Sequence, residues 1–294
     1  MTRRSGDLRG GWEWRTLLVA AGIYAAFAAL TLNHASLPWW LLVVAGGFVT
    51  AWHGSLQHEV VHGHPTPHAL LNELLVFPGL WLWLPFRLYR QSHLRHHAIT
   101  VIGDPVDDPE SYYLDRERWS RLGPVQRAFW RFHNTLSGRL TVGPAVAVAR
   151  LLAEESRKLA QGDFSALPAW LLHAAGCAMV LAWAVGFCGM SVVEYVAFFA
   201  YPGLSLTLLR SFAEHQASID QEERTVIVNC GPVMSLLFLN NNLHAVHHAE
   251  PSLPWYLLPA RARSSKLPAY AFRSYLEIAG RHLFKPKEPV RFPL

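Results

Sequence analysis

PWWLLVVAGGFVTAWHGSLQHEVVH, residues 38–62, decides the fold. Its first part, 38–52, carries no charge and consists largely of Trp, Leu, Val, Ala and Gly. Its last part ends on His58-Glu59-Val60-Val61-His62. Read as one helix, the 25 residues extend about 37 Å, more than the hydrocarbon thickness of about 30 Å. The histidine end therefore projects past the bilayer. His58 and His62 stand at i and i+4, so both rings occupy one helix face.

The rest of the composition agrees with a membrane chain. Of 294 residues, 51% are hydrophobic and 16% charged, against about 25% charged in ordinary soluble domains. Plentiful aromatic and aliphatic residues exclude disorder. Three scattered cysteines, Cys177, Cys188 and Cys230, supply neither a disulfide framework nor a CxxC pair. The formal charge is +5 and the pI about 9.3. Lysine occurs only at positions 158, 266, 285 and 287, so arginine supplies 22 of the 26 cations. These lie in segments that flank apolar runs and not along a polar face, which argues against a nucleic-acid binder.

Three further runs read as spans: 16–32, 168–185 and 191–209. The first follows Arg3, Arg4, Arg9 and Arg15 and is too long for a removable signal peptide, so it is read as a retained anchor. The hairpin connections 33–37 and 186–190 contain no Lys or Arg, whereas the N-terminus, residues 87–165 and the C-terminal tail are cationic. The positive-inside rule places all three in the cytoplasm of what reads as a bacterial inner-membrane protein. Two apolar stretches are interrupted, 69–84 by Pro78-Gly79 and 225–238 by Gly231-Pro232; both are read as re-entrant or interfacial hairpins. Residues 126–162 read as amphipathic helix on the membrane surface. The expected architecture is a single all-α integral-membrane domain over 1–294. It has about four transmembrane helices, re-entrant or interfacial helices and a cytoplasmic histidine-rich cap.

The sixteen histidines are not evenly spread. HLRHH supplies His93, His96 and His97; RSFAEHQ supplies His215; HAVHH supplies His244, His247 and His248. With the hairpin parity above, each group emerges on the same face as His58 and His62. In an HxxHH box the first ring shares a face with the ring three or four residues on, while the adjacent pair diverges by about 100°. One box can thus serve two neighbouring ions. Nine imidazoles exceed the need of one ion and suit two five- or six-coordinate ions; their softness leaves Fe, Zn, Cu and Ni open. His34, His53, His68, His133, His173 and His282 stand apart and read as ordinary polar side chains. HEVVH also matches HExxH, the zinc-protease pattern with Glu59 as general base. That reading leaves seven of the nine histidines unexplained. A non-catalytic metal carrier would place acids near mid-span, and the one span acid, Glu194, lies near an end.

In order along nearly the whole chain, HEVVH, HLRHH, the late single His215 and HAVHH with Pro251 beyond it resemble the membrane-bound fatty acid desaturase superfamily of histidine-box di-iron enzymes. The resemblance implies an O2-dependent non-haem di-iron oxidoreductase that desaturates or hydroxylates a long-chain lipid, or alternatively a carotenoid or terpenoid hydroxylase or ketolase. It implies two iron ions held by His58, His62, His93, His96, His97, His215, His244, His247 and His248. Some animal members carry a water-holding Asn one turn before the late His, where this chain has Ser211; Asn241, Asn242 or His64 is the expected substitute. No fused cytochrome b5-like module is seen, so electrons are expected from a separate ferredoxin, rubredoxin or cytochrome.

Metal-bound imidazoles need acceptors for their free ring N–H. Glu59 and Glu214, each beside a ligand, are the expected acceptors, with Asp104 and Asp108 on the loop after the second box; Asp107 reads as a solvated acid. Gly46, Gly47, Ala174, Ala175 and Gly176 either leave room for a substrate chain or serve helix packing. Arg87, Arg90, Arg95 and Arg210 are the candidates for holding an anionic headgroup, or lipid phosphate.

Overall fold

The computed structural model describes residues 11–220, 223–265, 270–287 and 289–293. Arg3, Arg4, Arg9 and Lys266, used above to orient the chain, lie outside them.

Four helices are long and apolar enough to cross a membrane: Trp14–Leu32, Trp39–Val61, Leu167–Phe187 and Val192–Glu214. The second and fourth outrun the apolar stretches 38–52 and 191–209 at their histidine ends, because polar residues there continue the helix out of the bilayer. Short turns join the first to the second and the third to the fourth, so each pair is an antiparallel hairpin. The chain enters and leaves both hairpins on one face, and that face carries the cap.

Within lipid, helices gain nothing by hiding apolar surface from one another, so close packing of backbone must hold them. The second and fourth spans meet at glycines. A Cβ on Gly46 would lie 2.4 Å from the Phe198 carbonyl oxygen, one on Gly47 2.8 Å from Pro202, and one on Gly203 2.5 Å from Thr50. Pro202 has no N–H to offer its own helix, and the turn before it, Val196–Ala200, is wound as π-helix. Gly176 of the third span sits equally close to the Phe77 carbonyl. The glycines therefore close the gaps between helices and leave no room for a substrate chain there. Ala174 and Ala175 face outward. Ile23 and Phe27 of the first span complete this core against Tyr195 and Phe199.

The stretch 69–84 is re-entrant. Helix Ala69–Leu75 ends before Pro78-Gly79, and the following loop is pinned inside the bundle. Tyr24 donates to the Leu75 carbonyl and Tyr195 to the Leu80 carbonyl, each at 2.6 Å. Tyr195 lies near the far end of the fourth span, so Leu80 sits deep. Leu82 turns the chain with φ 61°, and helix Phe86–Ala98 climbs back to the cap.

The stretch 225–238 departs from expectation in its first half. Its β-branched start forms strand Val226–Val228, paired in parallel with Tyr270–Phe272. Only the second half, helix Pro232–Leu237, packs on Phe48 and Ala51 of the second span. The region 126–162 comprises Pro124–His133, Leu136–Thr141 and Gly143–Ala160. The last two lie against the fourth span, where Ser205 donates to the Leu140 carbonyl at 2.8 Å.

Replacing Gly46 or Gly203 with Leu is expected to destabilise the protein by about 1–3 kcal/mol or more through overpacking. Gly186, which has no neighbour within 4 Å of a Cβ, should accept Ala within about 0.5 kcal/mol. Thermal unfolding of the detergent-solubilised protein checks both.

Candidate metal centre

Four separate elements deliver the nine histidines. His58 is in the last turn of the second span and His62 caps it. His93, His96 and His97 ride on Phe86–Ala98. His215 follows the fourth span in extended conformation, held by a bridge to Thr225. His244, His247 and His248 lie on the helix His244–Ala249.

The rings converge into two groups. One is His58, His62, His93, His97 and His247; the other is His96, His215, His244 and His248; within each, the ligand nitrogens lie within 4.8 Å of one another. Both HxxHH boxes split between the groups as helix geometry requires: His93 and His97 go one way and His96 the other, and His244 and His248 part from His247. The groups abut where His97 stacks on His248 with ring centroids 4.2 Å apart.

The spacing of the inner nitrogens tests whether a metal fits. In the four-histidine group the Nε2 atoms close a circuit: His96 to His215 3.1 Å, His215 to His244 2.9 Å, His244 to His248 3.0 Å, and His248 to His96 3.3 Å. In the five-histidine group His62 to His93, His93 to His97 and His97 to His247 are each 3.1 Å. His58 Nε2 is buried with no hydrogen-bond partner. Donors bound at about 2.1 Å and at right angles lie about 3.0 Å apart, whereas tetrahedral donors lie about 3.4 Å apart. The residues fit ions whose donors stand near right angles better than they fit a tetrahedral ion.

The outer nitrogens explain why Nε2 points inward. His93 Nδ1 lies 2.9 Å from Glu110 and His96 Nδ1 2.8 Å from Asp108. His215 Nδ1 lies 3.3 Å from the Arg224 carbonyl, and His244 Nδ1 3.2 Å from Asn241 Oδ1. Each acceptor fixes the Nδ1–H tautomer and leaves the Nε2 lone pair free. Asp108 in turn accepts backbone N–H from Gly103 and Glu110, so the loop after the second box is folded around it.

The expected partners are distributed unevenly. Asp108 and Asn241 meet a histidine directly. Glu214 receives the Asn241 amide at 2.8 Å and lies 3.5 Å from His244 Nδ1. Asp104 reaches no histidine; its carboxylate caps the turn at Val106 and Asp107. Asn242 bonds the Val228 carbonyl instead. Glu59 is 3.9 Å from His58 Nδ1 and receives the Trp255 N–H. It thus lies behind the ring and not beside the inner nitrogens where a protease base would stand. His64 pairs with Glu13. Glu110, which sequence reasoning passed over, lies two residues beyond Asp108 in the same acidic run, DPVDDPE. Arg90 and Arg95 are exposed, and Arg87 is paired with Glu73 at the surface. Arg210 is buried and paired with Glu214 at 3.0 Å; a headgroup cannot reach it, because it faces the centre from within the bundle.

Outside the spans, burial presses most of these rings toward the neutral form that metal binding needs. Burial and then the neighbouring rings push His62 down to about 2 and His97 to about 3. His215, His244, His247 and His248 are held well below the ordinary value for the same reason. His96 differs: burial opposes its charge, but the hydrogen bond to Asp108 and the charge of Glu110 raise it.

Residues 34–275 match the sequence pattern of the fatty acid desaturase family, and all nine histidines fall inside the match. Over 254 residues the chain is 24% identical to a dihydrorhizobitoxine desaturase of Bradyrhizobium elkanii, covering 80% of this chain and 70% of that protein.

Asp108→Asn and Glu110→Gln should each weaken metal retention on the order of 10- to 100-fold, measured by competition with a chelator. Asp104→Asn should leave it unchanged; an equal loss there would refute the assignment of Asp108.

Proposed function

The chain belongs to the fatty acid desaturase family, and we propose on that premise that it is an O2-dependent di-iron enzyme acting on a long fatty acyl chain in the membrane. That it is a membrane protein and a desaturase-like oxidoreductase follows from the four spans and the family match. The observation that carries the finer reading is the pair of abutting histidine groups with inner nitrogens about 3 Å apart.

The nine histidines would hold two irons, His58, His62, His93, His97 and His247 one and His96, His215, His244 and His248 the other. With O2, bound iron supplies the oxidising power to take hydrogen from an unactivated C–H bond, which no side-chain acid or base possesses. The protein's own contribution is position and insulation. Asp108, Glu110 and Asn241 keep the rings in one tautomer. Purely imidazole donation leaves the charge of the ions uncompensated, which favours strong oxidation. The buried Arg210–Glu214 pair closes the wall beside Asn241. The cationic box face is read as cytoplasmic, where a separate electron donor (a ferredoxin, rubredoxin or cytochrome) docks. The exposed Arg90 and Arg95 on the second-box helix suit an anionic headgroup or lipid phosphate.

Desaturation is favoured over hydroxylation because the relative in Bradyrhizobium elkanii is a desaturase. Mass analysis of lipids from a host with and without the protein tests this. Loss of two hydrogens from an acyl chain is expected. Gain of an oxygen would mean hydroxylation, and unchanged lipids with one zinc per chain would overturn the reading.

A further inference from the structure

His215 is the ligand with the least local support. It stands alone, past the end of the helix Tyr201–Glu214 and in extended conformation. The last carbonyls of that helix have no partner within it. What holds the turn comes from the other end of the chain. Lys287 is 4% exposed, and its ammonium donates to the Phe212 carbonyl at 2.6 Å and to the carbonyl of His215 itself. Among the described residues it faces no carboxylate. A cation at the negative end of a helix is electrostatically favoured, and here it spans the last turn and the ligand.

Lys287 is held in place by its own strap. Its N–H donates to the Asn134 carbonyl at 2.9 Å, and the Asn134 amide donates back to the Lys287 carbonyl. Further along, Phe292 donates to the Leu114 carbonyl at 3.0 Å and packs on Tyr112 and Tyr113. Tyr112 adds a 3.4 Å contact to the His215 carbonyl, and Arg139 lies 3.6 Å over its ring. The strap thus ties the His215 turn to the loop that carries Asp108 and Glu110. It lies beyond the family match, which stops at residue 275.

The geometry points to Lys287 as a positioning residue for the four-histidine group: its ammonium fixes the backbone of His215 and so decides whether that group, and not the other, holds its metal. This rests on the di-metal reading above.

The test is metal content and affinity of the purified full chain loaded with Fe2+ without oxygen, for Lys287→Met, Lys287→Arg, His215→Ala and the double variant Lys287→Met/His215→Ala. Lys287→Met should weaken one of the two binding steps on the order of 10- to 100-fold and leave the other unchanged. The double variant should bind as His215→Ala alone does, and Lys287→Arg should restore both steps. Unchanged binding in Lys287→Met, or equal weakening of both steps, would overturn the inference. A double variant that binds less than His215→Ala would do the same. If Lys287→Met does not give a folded sample, Asn134→Ala loosens the strap with the ammonium intact and should weaken the same single step. A single binding step in the unsubstituted protein would instead overturn the di-metal reading, and this inference with it; two full steps in His215→Ala would overturn the inference by removing His215 from the ligands.

Discussion

Nine imidazole nitrogens aimed at one another are the constraint on which the rest of the structure depends. A neutral ring has one N–H and one lone pair. Where Asp108, Glu110, Asn241 or the Arg224 carbonyl takes the N–H at Nδ1, the lone pair at Nε2 is left facing its neighbours at about 3 Å. Lone pairs at that distance repel, and burial opposes relief by protonation at His62, His97, His215, His244, His247 and His248. Cations placed between them would turn the arrangement from strained to favourable.

The membrane fold exists to deliver that convergence. Two antiparallel hairpins return the chain to one face, and the re-entrant stretch returns it there once more. Tyr24 and Tyr195 hold the re-entrant loop at depth. Glycines 46, 47 and 203 lock the second span to the fourth, which fixes the relative heights of His58 and the His215 turn. Errors of one helical turn would separate those rings by about 5 Å, more than a coordination shell allows.

Much of this was legible in the sequence because it is written in local periodicities. Apolar run lengths marked the four spans, and absence of Lys and Arg in 33–37 and 186–190 marked their parity. The i, i+3, i+4 spacing of HLRHH and HAVHH already implied that adjacent rings part company. What was not legible depends on where loops travel. The run DPVDDPE offers four acids, and only the folded path after the second box selects Asp108 and Glu110 over Asp104. Arg210 looked like a surface cation because nothing local reveals that Glu214, one turn on, turns it inward. The strand at 226–228 needed a partner over forty residues away, at 270–272. Lys287 sits in a polar tail whose pattern resembles any solvated terminus. Gly46 and Gly47 were ambiguous between cavity and contact, and contact with Phe198 and Pro202 settles them.

The most direct measurement is diffraction from crystals of the purified protein on either side of the iron absorption edge. The account predicts two anomalous peaks, one enclosed by His58, His62, His93, His97 and His247 and the other by His96, His215, His244 and His248. A single peak, a signal appearing only at the zinc edge, or histidines splayed to opposite sides of the bundle would contradict it.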